Sequence, residues 1–205
     1  MPRTGRPRGE YAKSAQRRRE ILDASLEVFA TSGFRSGSLR DIAEKVGMSQ
    51  AGLLHHFPSK THLLMAVLEE RDEQARQRSG DALSGGIEAI RAFIDNARYN
   101  ATVPGLVELY AVLSAESTAH DHPAHAYFQQ RYRWVLNFAR EALEKTRAEG
   151  DLRADVDPGS AARSLVALQD GLQVQWLLDP ESVDIAEELT AYAQRLFTVD
   201  IYPSR

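Results

Sequence analysis

The chain has 205 residues, 43% hydrophobic and 26% charged, enough for one ordinary domain or two small ones with a buried core. It contains no cysteine, which excludes disulfides and thiolate metal sites and fits a reducing cytoplasm. Its net charge of −4 hides an asymmetry: residues 1–60 hold eleven Lys/Arg against six Asp/Glu, a net of +5, and residues 61–205 hold fourteen against twenty-three, a net of −9. A basic module that grips a polyanion, joined to an acidic body that phosphates would repel, accounts for that split. Neither a signal peptide's apolar core nor an apolar run near the roughly 20 residues of a membrane span is found, so no membrane partner is expected.

Residues 1–12 carry two prolines, two glycines and three arginines and read as a flexible basic arm. Within it Gly5-Arg6-Pro7 resembles the core of an AT-hook, which would lay Arg3, Arg6 and Arg8 in a narrow minor groove. A solvated basic tail that adds only non-specific attraction is an equal alternative. A helix is expected from about Ala15 to Ser32, with Ile21, Ser25, Val28 and Phe29 inward and Gly33 as its stop. Next, Leu39, Ile42, Ala43 and Val46 fall at i, i+3, i+4 and i+7, one face of a short helix. Ser38 can cap it, Asp41 completes a capping-box pattern, and Gly47 can end it in a left-handed conformation. Ser49 can cap a second short helix that carries Leu53 inward and closes at Phe57 before Pro58. Two such helices and their tight turn form a helix-turn-helix, whose second helix fits the DNA major groove.

Ser59 should open a fourth helix with Leu63, Leu64, Val67 and Leu68 inward, fading in the polar run 71–80. Gly80, Gly85 and Gly86 mark the change of domain, the fourth helix being counted with the body. The division is then an arm (1–12), a helix-turn-helix domain (13–60) and a ligand-binding and dimerisation domain (61–205). The body reads as helix throughout: 87–103; a segment opened by Pro104; Pro123 to Glu149, stopped by Gly150; Asp157-Pro158 to about Asp179; and 184–199. No alternating strand pattern or internal repeat occurs, so the expected class is all-α with about nine helices.

The stretch from Ile21 to Lys60 resembles the N-terminal domain of TetR-family transcriptional regulators. Ala24, Phe29, Gly33 and Phe34 match that family's first helix, Ser38 to Ala43 its second, and Gly47-Met48-Ser49 its turn. Leu53, His56, Phe57, Ser59 and Lys60 match the recognition helix and the start of the fourth. One departure is Leu54, where the family often has a tyrosine that contacts DNA. From the residues themselves, Gln50 can bond an adenine edge in two places and Ala51 can meet a thymine methyl. Gly52 allows close approach of the backbone. Arg40 matches a base-reading arginine of the family, and its guanidinium fits guanine or a phosphate. Ser38, Ser49, His55, His56 and Lys60 are candidates for phosphate.

The resemblance implies that the remaining helices bind a small-molecule effector and pair two subunits into a homodimer. Asp170 to Pro180 resembles the C-terminal half of the BetI-like subgroup, without implying that subgroup's ligand. Leu165, Leu168, Leu172, Leu189, Tyr192, Leu196 and Phe197 are assigned to the dimer interface, as apolar stripes on the last two helices. Arg98, Tyr99, Tyr110, Glu116, Tyr127, Tyr132, Trp134, Gln173 and Trp176 are candidate ligand contacts, being polar or aromatic groups on apolar helix faces. His120, His122 and His125 cluster at a helix start and read as a solvated loop; no metal or cofactor is assigned. No catalytic residue is assigned either, because no Gly-rich phosphate loop, no His-Glu-x-x-His and no cysteine nucleophile is present. The function expected is a ligand-responsive DNA-binding repressor of a near-palindromic operator. The alternative is an effector-independent architectural DNA-binding protein.

Overall fold

The computed structural model describes residues 8–80, 85–103 and 105–203, with side chains from residue 13 onward. The described residues contain nine helices: α1 (Arg8–Ser36), α2 (Leu39–Val46), α3 (Gln50–His56), α4 (Lys60–Ser79), α5 (Ile87–Ala101), α6 (Leu106–Glu116), α7 (His125–Glu149), α8 (Pro158–Leu178) and α9 (Ile185–Gln194). No strand occurs among them; a single antiparallel bridge joins Leu152 to Phe197. The protein is all-α, as the periodicity predicts.

The chain divides into two compact units, one running to Glu70 and the other from Arg71. The expected boundary at 60/61 therefore lies ten residues too early, because α4 begins in the first unit and ends in the second. Its polar half does not fade. Arg71–Gln74, Glu73–Arg76 and Glu73–Gln77 bonds at i, i+3 and i+4 support it to Ser79.

In the first unit α1 packs on α2 and α2 on α3. Ile21, Phe29, Ile42, Leu53, Leu63, Leu64 and Leu68 are fully buried. The first helix starts at Arg8, not near Ala15, so the flexible arm expected over 1–12 overlaps a helix. After Gly9 no proline or glycine interrupts the chain until Gly33, and a helix once begun there propagates. Gly33 does break it, with φ 69 and ψ 174 inside the span of α1.

The second unit is a helical body in which α8 packs on α6, α7 and α9, and α5 packs on α6, α7 and α9. Its core holds Ile90, Ile94, Leu143, Leu165, Leu172, Leu189, Leu196 and Phe197. Asp157 caps α8 through its Oδ1 on the Ser160 amide at 2.8 Å, and Asp184 caps α9 on the Glu187 amide at 2.9 Å. The last helix stops at Gln194 rather than near Val199, because the chain turns to pair with the 150–153 loop. Arg153 N–H donates to Leu196 O at 3.0 Å and Thr198 N–H to Asp151 O at 2.8 Å. Pro104, expected to open α6, lies outside the described residues.

Leu165, Leu172, Leu189, Leu196 and Phe197 are buried within their own chain, and Leu168 and Tyr192 are partly buried against the same core. They do not form an open dimer face. Period alone identifies residues that share a helix face; it does not say whether the same chain covers that face.

Candidate nucleic-acid interface and ligand cavity

The helix-turn-helix is held by its caps. Ser38 Oγ accepts from the Arg40 and Asp41 amides at 3.1 and 3.2 Å. Gly47 takes φ 68 and ψ 44, and Met48 N–H closes the helix end on Ala43 O at 2.9 Å. Ser49 Oγ accepts from the Gly52 amide at 3.1 Å. The three residues between α2 and α3 thus have both helix ends satisfied, and the buried Leu53 fixes how far α3 is rotated about its axis. With Leu53 inward, Gln50, Ala51 and His55 are exposed, while Gly52, Leu54 and His56 are partly buried. Arg40 is exposed on the helix before.

Several expected contacts already have partners within the chain. Lys60 Nζ donates to Arg35 O at 3.1 Å and lies 4.7 Å over the Phe34 ring. Ser38 and Ser49 each have an oxygen engaged in capping, which leaves their O–H to donate. Two arginines that the sequence reading passed over brace the motif: Arg17 donates to Val46 O at 3.2 Å, and the Arg18 guanidinium sits 4.7 Å over Phe57. Their signal was the Gln16-Arg17-Arg18-Arg19 run ahead of the motif, a concentration of positive charge on α1. Of the arm, Arg3 and Arg6 lie outside the described residues, and Arg8 is the first residue of α1.

The second unit contains a cavity of about 960 Å³, its open mouth included, walled by α4 to α8. Asp72, Ala75, Arg76 and Ser79 come from α4, Phe93, Asn96 and Asn100 from α5, and Tyr110 and Ser114 from α6. From α7 come Phe128, Arg131, Tyr132, Trp134 and Phe138, and from α8 Val166, Gln169, Asp170 and Gln173. Tyr110, Tyr132, Trp134 and Gln173 are thus brought together as expected. Tyr127 sits just behind the wall, its hydroxyl on Asp72 Oδ2 at 2.5 Å.

Besides Tyr127, four further expected contacts do not line the cavity. Arg98 is ion-paired with Asp95 at the surface, and Tyr99 lies exposed under the Arg78 guanidinium at 3.8 Å. Trp176 packs on the hydrophobic core. Glu116 faces His122, with Oε2 and Nε2 3.6 Å apart. His122 is buried rather than solvated: its Nδ1 accepts from the Ala124 amide at 3.2 Å and meets Ser117 Oγ at 3.0 Å. The His-Asp-His turn folds inward because that ring can cap the start of α7. Around it His120 meets His125 at 3.2 Å, and His125 Nδ1 lies 2.7 Å from Ser117 O.

Two carboxylates of the cavity differ in kind. Asp72 accepts from Tyr127, from Tyr110 at 3.3 Å and from Arg131, whose guanidinium also lies 4.5 Å over the Tyr110 ring. That network is internally neutral. Asp170 accepts from Tyr132 Oη at 2.8 Å, a neutral donor. Burial raises the Asp170 pKa, against the Tyr132 hydrogen bond and the Arg131 charge, which lower it. Burial, with Asp170 alongside, pushes the Tyr132 phenol up to about 12, so it stays a donor at neutral pH. The sequence signal for Asp170 was a polar i, i+1, i+4 set, Gln169, Asp170 and Gln173, that shares a face with Val166.

Residues 21–67 match the model of the bacterial regulatory proteins of the tetR family. Residues 88–198 match that of the BetI-type transcriptional repressor C-terminal domain, more than half of the chain. The chain belongs to the TetR family. It is a DNA-binding transcriptional regulator of a family that comprises regulators, not enzymes. It is similar to the HTH-type transcriptional regulator UidR of Escherichia coli strain K12, 26% identical over 185 residues, covering 87% of this chain and 88% of UidR. It is also similar to the HTH-type transcriptional repressor KstR2 of Rhodococcus jostii, 28% identical over 78% of this chain and 79% of the relative. Among solved structures, the complex of SmeT, from Stenotrophomonas maltophilia, with triclosan shares the fold, with a TM-score of 0.74 and 22% identity over 92% of this chain and 95% of that one. Among the described residues no helix is long and apolar enough to cross a membrane.

Proposed function

We propose that this regulator is a repressor that binds a near-palindromic operator as a homodimer and is released by a small molecule held in the α4–α8 cavity. The observation that carries this reading is the double membership of α4. Its first half supplies Leu63, Leu64, Val67 and Leu68 to the buried residues of the DNA-binding unit, and its second half supplies Asp72, Ala75, Arg76 and Ser79 to the cavity wall. A ligand that moves the second half acts on the first through the covalent helix. A hundredfold loss of operator affinity needs only about 2.7 kcal/mol of coupling. The KstR2 relative is named a repressor, and the SmeT neighbour was solved with a small molecule, which supports the same reading here.

In this proposal Gln50, Ala51 and Arg40 read bases, His55 contacts phosphate, and the Ser38 and Ser49 hydroxyls and His56 add phosphate contacts. Lys60 braces the fourth helix on Arg35 and adds a positive field. The dimer face moves to the outer side of α8. Ser164, Ala167, Gly171, Val174 and Leu178, spaced by three or four, are all exposed, Val174 at 51% and Leu178 at 82%. Gly171 touches nothing that an added Cβ would meet, although glycine weakens a helix by about 1 kcal/mol. A second α8 packed closely on this strip would use that gap, and two-fold pairing matches half-sites one helical turn apart. Such a protein works on DNA in the cytoplasm.

The test combines a thermal-shift screen of small molecules with fluorescence anisotropy on labelled DNA from upstream of the protein's own coding sequence. Compounds that raise the melting temperature should release the DNA, and Ser114→Trp, which fills the cavity, should abolish both effects. Stabilising compounds that leave DNA bound would sink the effector reading.

A further inference from the structure

We propose that the ligand of this cavity is an organic cation with N–H donors, a protonated amine on an apolar body; this rests on reading the cavity as the effector site. Among the described residues four charged side chains line it: Asp72, Arg76, Arg131 and Asp170. Asp72 and Arg131 neutralise one another. Arg76 is half-exposed and gives Nε and Nη2 to Glu73 at 3.1 and 2.9 Å. Asp170 has only the neutral Tyr132 hydroxyl as hydrogen-bond partner among the described residues. Asp170 is thus the lining charge with no oppositely charged side chain in salt-bridge contact among the described residues, and its charge is negative.

The nitrogen type follows from the residue beside it. Gln169 Oε1 is buried and has no hydrogen-bond partner among the described residues. An acceptor left dry costs free energy until a donor reaches it. Asp170 and Gln169 together offer two acceptors from one turn of α8. A primary or secondary ammonium satisfies both with N–H groups, whereas a quaternary nitrogen has none to give. The aromatic part of the lining suits the rest of such a molecule. Trp134 and Phe138 stack with centroids 5.7 Å apart and planes 11° from parallel, and Phe93 adds a third ring. Ring faces attract cations and pack on flat apolar groups. An anion meets the reverse: Arg131 is already taken by Asp72, and Asp170 repels it.

Calorimetry on the full-length protein with four probes of one shape tests this: 1-naphthylmethylammonium, its N,N,N-trimethyl counterpart, 1-naphthalenemethanol and 1-naphthoate. The primary ammonium should bind at least roughly tenfold tighter than the trimethyl compound and the alcohol, since a charge-assisted bond to a buried acceptor carries that difference. Naphthoate should bind weakest. Asp170→Asn should erase the preference for the ammonium while the alcohol still binds, which also shows that the variant is folded. Equal binding of the alcohol or naphthoate, unmoved by Asp170→Asn, would overturn the cation and leave the cavity as effector site. Trimethyl binding equal to the primary ammonium, and lost in Asp170→Asn, would overturn the N–H requirement. Failure of all four to bind would overturn the inference together with the effector reading beneath it.

Discussion

Gln50 and Arg40 are exposed and make no contribution to the buried set of the first unit. Replacing either with alanine is expected to cost about 1–3 kcal/mol at the operator, with unchanged melting temperature, as measured by anisotropy and thermal denaturation. Asp72 is the opposite kind of residue. Its ion pair with Arg131 is largely shielded from water, side-chain exposures being 17% and 23%. Asp72→Ala strands that guanidinium and should cost roughly 3–5 kcal/mol of stability, read by chemical denaturation. Asp170 makes a pH prediction. Its folded-state pKa is raised by burial, so its charge costs stability above that pKa, and the cost disappears as pH falls through it. Asp170→Asn should thus be as stable as the native protein or more so at neutral pH. Affinity for an ammonium ligand should fall as the pH drops and Asp170 takes up its proton. A native protein that binds the ammonium equally well at pH 4 and pH 7 would contradict that assignment.

At the scale of the helix, α8 has three jobs on three faces. Leu165 and Leu172 pack in the core, Gln169, Asp170 and Gln173 line the cavity, and the strip from Ser164 to Leu178 faces solvent in the single chain. Substitutions on two of those faces separate folding from assembly. Val174→Glu or Leu178→Glu should leave a folded monomer, because an exposed charge costs the single chain little. Leu172→Glu should lose the fold itself, because it buries a carboxylate in the core without a partner. Light scattering and circular dichroism distinguish these outcomes, and a Leu178→Glu protein that remains dimeric would place the interface elsewhere. In the helix-turn-helix, Gly47 alone takes the left-handed conformation that the turn between α2 and α3 requires, and a Cβ there meets no atom. Gly47→Ala should therefore cost only the backbone strain, about 1 kcal/mol.

For the whole molecule, charge segregation predicts how binding responds to salt. The net of +5 over residues 1–60 is the part that releases counterions from DNA. Removing residues 1–7 deletes Arg3 and Arg6 and should leave melting temperature unchanged. It should weaken operator binding and make the slope of log K against log salt shallower by up to about 0.9 for each phosphate that is no longer neutralised. If these arginines enter the minor groove, the weakening is greater on A·T-rich than on G·C-rich flanks, since the narrow groove concentrates the potential. Equal weakening on both flanks would assign them to the phosphates alone.

The sequence by itself determined what depends on near neighbours along the chain. Ser38, Gly47, Ser49, Asp157 and Gly150 place helix ends through bonds that span three to five residues, so caps and stops were legible without a fold. The spacing of Leu39, Ile42, Ala43 and Val46 gave the inward face of α2 for the same reason, and the charge split was visible as a count. Tertiary structure alone decided which inward face meets which partner. Leu165 and Leu189 turned out to be core, and the outer strip of Val174 and Leu178 was left open, because burial depends on helices far apart in sequence. It also decided that Asp72, from a polar run on α4, would meet Tyr110, Tyr127 and Arg131, 38 to 59 residues away, and that Asp170 would have the Tyr132 hydroxyl as its one hydrogen-bond partner among the described residues. A carboxylate's partners set its charge and its use, and those partners are chosen by packing.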